Sequence, residues 1–269
     1  MSGPYVRVSA DAQRVAVFSL ESVPDFPHDN SHIEEIAAGP NGEVQLLAWE
    51  GDGHYLITYN NDGRFLSATK VDLRLFVSHF AVFPSGQILV AGEKLPRKAG
   101  DLAGVPLNVI LDRNGKVVKE LELPGDVQPD PSRPANQQGK EISGGRAVTG
   151  DDGNIYLMRA TQNPLIFVIS PALKITRKLS LVPPAQDFKG GNFSVVQGKI
   201  FMEFLKLTGS LLKHGSLVYS VYDAQTGEHQ VDYEQMPNSF GMLACATPDG
   251  FTFLSSDGNK LSIVHASPR

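Results

Sequence analysis

The stretch FPSGQILVAGE, Phe83 to Glu93, joins a polar turn to a short apolar run that ends on a glycine. Three other stretches repeat it closely: GPNGEVQLLAWEG (39–51), GDDGNIYLMRATQ (150–162) and TPDGFTFLSSDGN (247–259). VVQGKIFMEFLKL (195–207) is a worn fifth copy. The turn glycines are Gly42, Gly86, Gly153, Gly198 and Gly250, so successive spacings are 44, 67, 45 and 52 by subtraction. Each follows Asn, Ser, Gln or Asp, the pairing that suits a tight turn needing positive φ. The runs around each are rich in Val, Ile, Leu and Phe, which pack well on a pleated surface.

A second hairpin follows most of these phrases: HYLITYNNDGRFLSATKVDL (54–73), LNVILDRNGKVVKELEL (107–123), LIFVISPALKITRKLSL (165–181) and SLVYSVYDAQTGEHQVDYE (216–234). YVRVSADAQRVAVFSL (5–20) fits the same template. The repeating unit is therefore four strands, a to d, with tight turns at a–b and c–d. No segment shows a helical period over three turns. A unit of this length holding four short antiparallel strands is the sequence form of a β-propeller blade. A lone four-stranded sheet leaves both faces and both edges uncovered, and packing such sheets around a ring covers them. A β-sandwich accounts for the alternation of apolar residues but not for five copies of a two-hairpin unit.

The expectation is an all-β chain: one propeller domain over 1–269, built of four-stranded antiparallel blades. Its a–b phrases lie near 36–49, 79–92, 146–159, 193–204 and 243–255. Five blades are favoured and six stay open. GMLACAT, FTFLSSD and KLSIVHA supply strands a to c of the last blade, after which the sequence ends. RVAVFSL near the N-terminus is the expected fourth strand, closing the ring by pairing the two ends. These phrases, with their DG or SG turn, I-Y-L/V strand, apolar c strand and NG-type turn into d, resemble the NHL-like group of bacterial propeller repeats. The resemblance implies the fold. The Asp and Asn-Arg positions common in NHL strands are absent here, so it carries over no ligand residue.

Composition narrows the function classes. The 269 residues are 41% hydrophobic and 20% charged with a net charge of −5, ordinary for a folded chain and unsuited to general nucleic-acid binding. The dense basic cluster Lys94, Arg97 and Lys98 reads as a solvated loop. Cys245 is the one cysteine, which excludes an intrachain disulfide, and its apolar neighbours predict an inert, buried thiol. No apolar run is long enough for a transmembrane helix. MSGPYVRVSA lacks the character of a signal peptide, and export with a removed signal is the expectation for location.

The a–b and c–d turns are short throughout. The connections at the other ends of the strands are long: 21–32, 93–106, 124–145, 183–192 and 205–215. Long connections in a compact domain are usual places for function, so this face is the expected site. Counting seven residues back from the turn glycines places Glu35, His79, Arg146 and Leu243 at the start of strand a, with Phe193 in blade four. An acid, an imidazole and a guanidinium at one channel mouth suit a small anion or proton transfer; the plain alternative is a solvated ion-pair cluster. Trp49 ends a b strand near the same face, as a stacking platform or as a packed blade residue. His28 and His32, with Asp29, Asn30, Glu34 and Glu35, form the densest group of metal-ligand types. They sit in a loop without a helical face behind the histidines, so no metal or other cofactor is assigned. Nucleophile-elbow, P-loop and dinucleotide fingerprints are absent.

Two functions follow. The leading one is a non-catalytic, monomeric binding propeller that recognises a protein, peptide or other extended ligand on the long-loop face through Glu35, His79, Arg146, His32, Phe193 and Trp49. The alternative is a hydrolase or lactonase-type enzyme using Glu35, His79 and Arg146 at the channel mouth, with or without a metal.

Overall fold

The repeated phrase folds as a hairpin at every copy. In a computed structural model, the structure describes residues 5–8, 14–27, 31–51, 53–95, 105–128, 130, 132, 135–206, 217–234, 242–247, 249–257 and 260–267. Gly42, Gly86, Gly153 and Gly198 all have φ between +70° and +83°, the left-handed region expected from the turn phrases. At Phe83 the closure is complete: its N–H donates to the Gln87 carbonyl at 2.8 Å and its carbonyl accepts from the Gly86 N–H at 2.8 Å.

The fold is an all-β propeller with five blades. An N-terminal hairpin, β1 (Tyr5–Val8) and β2 (Arg14–Phe18), precedes them. The blades are β3 (His32–Ala38), β4 (Val44–Glu50), β5 (Gly53–Tyr59) and β6 (Phe65–Val71); then β7 (Leu75–Val82), β8 (Ile88–Lys94), β9 (Pro106–Leu111) and β10 (Val117–Glu120). Helix α1 (Ala135–Ser143) intervenes. The third blade is β11 (Arg146–Thr149), β12 (Ile155–Arg159), β13 (Leu165–Ile169) and β14 (Ile175–Ser180). The fourth is β15 (Phe188–Val196), β16 (Lys199–Lys206), β17 (Leu217–Asp223) and β18 (His229–Glu234). The fifth, β19 (Met242–Thr247), β20 (Gly250–Asp257) and β21 (Lys260–Ala266), has three strands among the described residues.

Two compact units contain these elements, one holding β1–β10 and α1 with residues 171–173, the other β11–β21. In the first, Leu47, Leu56 and Val71 of blade one pack with Phe80, Val82, Ile88, Val90 and Val109 of blade two. The opposite face of blade one is covered by the N-terminal hairpin through Ala16 and Phe18, which meet Leu46, Ile57 and Tyr59. The Tyr59 hydroxyl donates to the Ser19 carbonyl at 2.8 Å, fixing this lid to the sheet. In the second unit blade four is covered on both faces. Phe193, Ile200, Met202 and Phe204 meet blade three, while Phe201, Tyr219 and Val221 meet Phe251 and Phe253 of blade five. First strands of successive blades touch within each unit, β3 with β7, β11 with β15 and β15 with β19.

Three expectations change. β2 finds its partner in β1, so the pairing of an N-terminal with a C-terminal strand is not among the strand pairings of the described residues. YVRV and RVAVF are near neighbours in sequence, and as a hairpin they cover the apolar face of blade one that would otherwise meet water. Helix α1 stands where no helical period was found, because its sequence ANQQGKEIS holds only two apolar residues, Ala135 and Ile142, which make no periodic stripe; Ile142 is fully buried. Cys245 is exposed on β19, not buried.

The c–d turns use a device that glycine alone does not reveal. The Asn60 Oδ1 accepts from the N–H groups of Asp62 and Arg64 at 3.0 and 2.8 Å. Asp112 Oδ1 does the same for Asn114 and Lys116, both at 2.9 Å. Asp223 Oδ1 accepts from Gln225 and Thr226, both at 2.8 Å, and these N–H groups hold its carboxyl below the usual range.

Gly92 tests the packing of blade two. A Cβ there would fall inside the van der Waals radius of the Phe76 carbonyl oxygen, a backbone atom that cannot swing aside. Gly92→Ala is expected to lower unfolding free energy by about 3 kcal/mol, the upper part of the overpacking range. Gly198→Ala, at φ +70° with nothing nearby, should cost about 1 kcal/mol. Urea unfolding of both variants measures the difference; equal losses would contradict the close approach at Gly92.

Candidate functional site

The first strands carry a recurring irregularity at their long-connection ends. Strand register shifts between Ile33 and Glu35, between Val77 and His79, between Gly190 and Phe193, and between Leu243 and Cys245. Each is a β-bulge, which re-aims the side chains around it. Of the rim residues counted back from the turn glycines, Glu35, His79, Phe193 and Leu243 fall beside these bulges, whereas Arg146 begins β11, which pairs with β12 without a shift.

In the first unit Glu35 is half-buried and His79 is buried, on the adjacent strands β3 and β7. The His79 Nε2 lies 2.6 Å from the Ile142 carbonyl of α1, the distance of a strong hydrogen bond in which the imidazole N–H donates. Ile142 itself is fully buried, so His79 ties the end of the helix to the inner strand. A neighbouring cluster occupies the same end of blade one. Buried His54 places Nε2 3.2 Å from Glu34 Oε2, and its ring meets the Trp49 ring edge-on at 4.9 Å. Trp49 thus packs within its own blade, half-buried and paired in register with exposed His32. His28 lies outside the described residues. Among the described residues no group of three or more His, Cys, Asp or Glu side chains is placed to hold a metal ion.

Arg146 belongs to the second unit, at the start of β11. Its Nη1 donates to Asn192 Oδ1, on the bulge of β15. Glu203 of β16 faces the same bulge, near enough to Gly191 that a Cβ there would lie 3.1 Å from its Oε1. Burial raises the Glu203 carboxyl above its usual pKa, and the positive charge of Arg146 opposes that rise. Tyr219, opposite Glu203 in register, is pushed up by burial and then by the Glu203 charge. The Ser194 hydroxyl is buried without a hydrogen-bond partner, and Arg159 at the end of β12 is fully buried. Phe193 is buried and packs in the apolar core between blades three and four. Asn192, Glu203 and Tyr219 were not among the residues expected from sequence. They sit on strands a, b and c of one blade, and only the register across the bulge reveals their proximity.

No family model matches the chain, and no curated protein matches it in sequence. Solved structures do resemble it. A protein of unknown function from Bacteroides caccae aligns over 98% of this chain and 90% of that one, with 12% identity and a TM-score of 0.50. Prolyl oligopeptidase B from Galerina marginata, without ligand, aligns over 93% of this chain at 14% identity and a TM-score of 0.54. This chain spans about a third of that peptidase, 36% of its length. At such identities the likeness is one of fold.

Two outcomes follow from this geometry. Because Glu203 binds its proton more readily in the folded than in the unfolded chain, its contribution to stability is complete below the usual carboxylate range. It is lost as pH rises through the elevated folded value. Glu203→Gln should flatten the stability profile across that window, and Arg146→Met should move the Glu203 titration still higher by carboxyl NMR; a downward move would refute the pairing. His79→Phe removes the helix tie and should cost about 1–3 kcal/mol, with faster amide exchange confined to α1 and the start of β7.

Proposed function

We propose that the chain is a non-catalytic interaction propeller, with NHL-like repeats as blades, that recognises a protein or peptide segment at the long-connection ends of its sheets. One observation carries this reading. The two most exposed large apolar residues among those described, Phe76 at 61% and Val182 at 63%, both lie at such ends: Phe76 near the start of β7 and Val182 just after β14. At the opposite ends, the hairpin turns between residues 39–43, 60–64, 83–87 and 112–116 close on their own backbone hydrogen bonds. Large apolar side chains left in water near irregular connections are a frequent mark of an interaction surface.

The hydrolase alternative needs an imidazole open to substrate, and His79 is buried with its Nε2 engaged by the Ile142 carbonyl. This favours a positioning role for His79 over a catalytic one. Likeness to a prolyl oligopeptidase supports the propeller and leaves peptidase activity with that protein. No helix among the described residues is long and apolar enough to cross a membrane.

Peptides selected from a random display library against the immobilised protein test the proposal. Binding of the enriched peptides should weaken by roughly tenfold or more in a Phe76→Ser/Val182→Ser variant, as expected for apolar anchors. It should be unchanged in a Ser85→Ala/Asn114→Ala variant of the short turns. The reverse pattern would place recognition on the other ends of the sheets and sink the proposal.

A further inference from the structure

The outer corner of blade two holds a half-open cavity of about 580 Å³, between the end of β8, the start of β9 and the chain that leaves β10. Its size falls in the range of small-ligand pockets. Asn108 and Asp126 line it, and both are more than nine-tenths buried. The Asn108 amide donates to the Leu121 carbonyl at 3.4 Å, while Asp126 Oδ1 accepts from the Val127 N–H at 2.8 Å. The first bond ties Leu121 to β9, the second is local to the turn at Asp126–Val127, and the two side chains set the polar floor of the cavity. Glu120 and Glu122 stand exposed on its wall, with Lys94 the one positive charge among the described residues that line it. Three carboxylates against one ammonium give these described lining residues a formal charge of −2.

We propose that this cavity receives an arginine side chain of a peptide partner. The inference rests on the interaction reading above and names the chemistry of one anchor. A planar guanidinium matches carboxylates bidentately and sheds water more readily than an ammonium, so it suits a half-enclosed acidic pocket better than lysine does. The cavity opens beside β10, an edge strand whose Val117 and Val118 are 40% and 47% exposed, so apolar surface flanks the charged pocket. A peptide offers both contacts at once, whereas a free small cation uses only the pocket.

Titration of the whole protein with acetyl-Gly-Arg-Gly-amide, followed by calorimetry or amide NMR, is the test. Saturable binding is expected, weaker for the lysine peptide and lost when citrulline or glutamate replaces arginine. Glu120→Gln/Glu122→Gln, two exposed changes that leave the core intact, should weaken it by roughly three- to tenfold. Lys94→Gln should tighten it. Indifference to these variants, equal binding of the citrulline peptide, or no saturable binding would overturn the proposal. Agmatine binding as tightly as the tripeptide would overturn the peptide assignment in favour of a free cation. If library-selected peptides lose affinity in the Phe76/Val182 variant but ignore the Glu120/Glu122 pair, the interaction reading stands and this anchor falls.

Discussion

A four-stranded sheet with two apolar faces cannot stand alone in water, and the rest of this molecule follows from that constraint. Leu47 and Leu56 point to one side of blade one while Leu46 and Ile57 point to the other, and all four are essentially inaccessible to solvent. Each face therefore needs a neighbour. Blade two covers one, and the N-terminal hairpin covers the other. Burying such side chains contributes about 1.5–3 kcal/mol each, so leaving either face open would remove several of these contributions together. The hairpin's placement on blade one, where sequence suggested a strand for the last blade, is the same constraint met locally.

The requirement also divides labour along each strand. Apolar alternation must hold through the middle of the blade, and the short turns must hold register. Tight Gly turns do this at a–b, and Asn60, Asp112 and Asp223 do it at c–d by binding two backbone N–H groups with one oxygen. Strand d carries a bulge beside the c–d turn in blades one to four, while strand a carries its own at the long-connection end in blades one, two, four and five. Bulges at Glu34, Ser78, Gly191–Asn192 and Ala244 all fall there.

What was legible in the sequence tracks this division. Turn glycines and apolar runs report local requirements, so the order of the blades could be read and five favoured, while six stayed open until the strand pairings were seen. The candidate site could not be read, because a bulge shifts which side chains share a face. Counting from Gly86 did reach His79 but gave no sign that its partner would be a helix carbonyl 63 residues away. Helix α1 escaped for a related reason. Its position depends on Ile142, on His79 and on a side-chain-free Gly139 against Glu93, and none of these produces a periodic pattern. Cys245 was misjudged because LACAT reads as interior sequence, although β19 begins with a bulge between Leu243 and Cys245 that disrupts the alternation.

The same reasoning weighs the residues that first suggested chemistry. A catalytic base has to exchange protons with a substrate, while a structural histidine has to satisfy a buried carbonyl; His79 does the second. Glu203 is different, since its carboxyl is raised by burial yet sits beside an exposed guanidinium, an arrangement that responds to a bound charge. An anionic ligand contacting Arg146 would weaken the attraction that holds Glu203 ionised and favour proton uptake there. A cationic one near Glu203 would do the opposite. The strand-end bulges therefore supply what a regular sheet cannot: polar groups turned out of the ladder, close enough to sense each other, on a scaffold whose register does not depend on them.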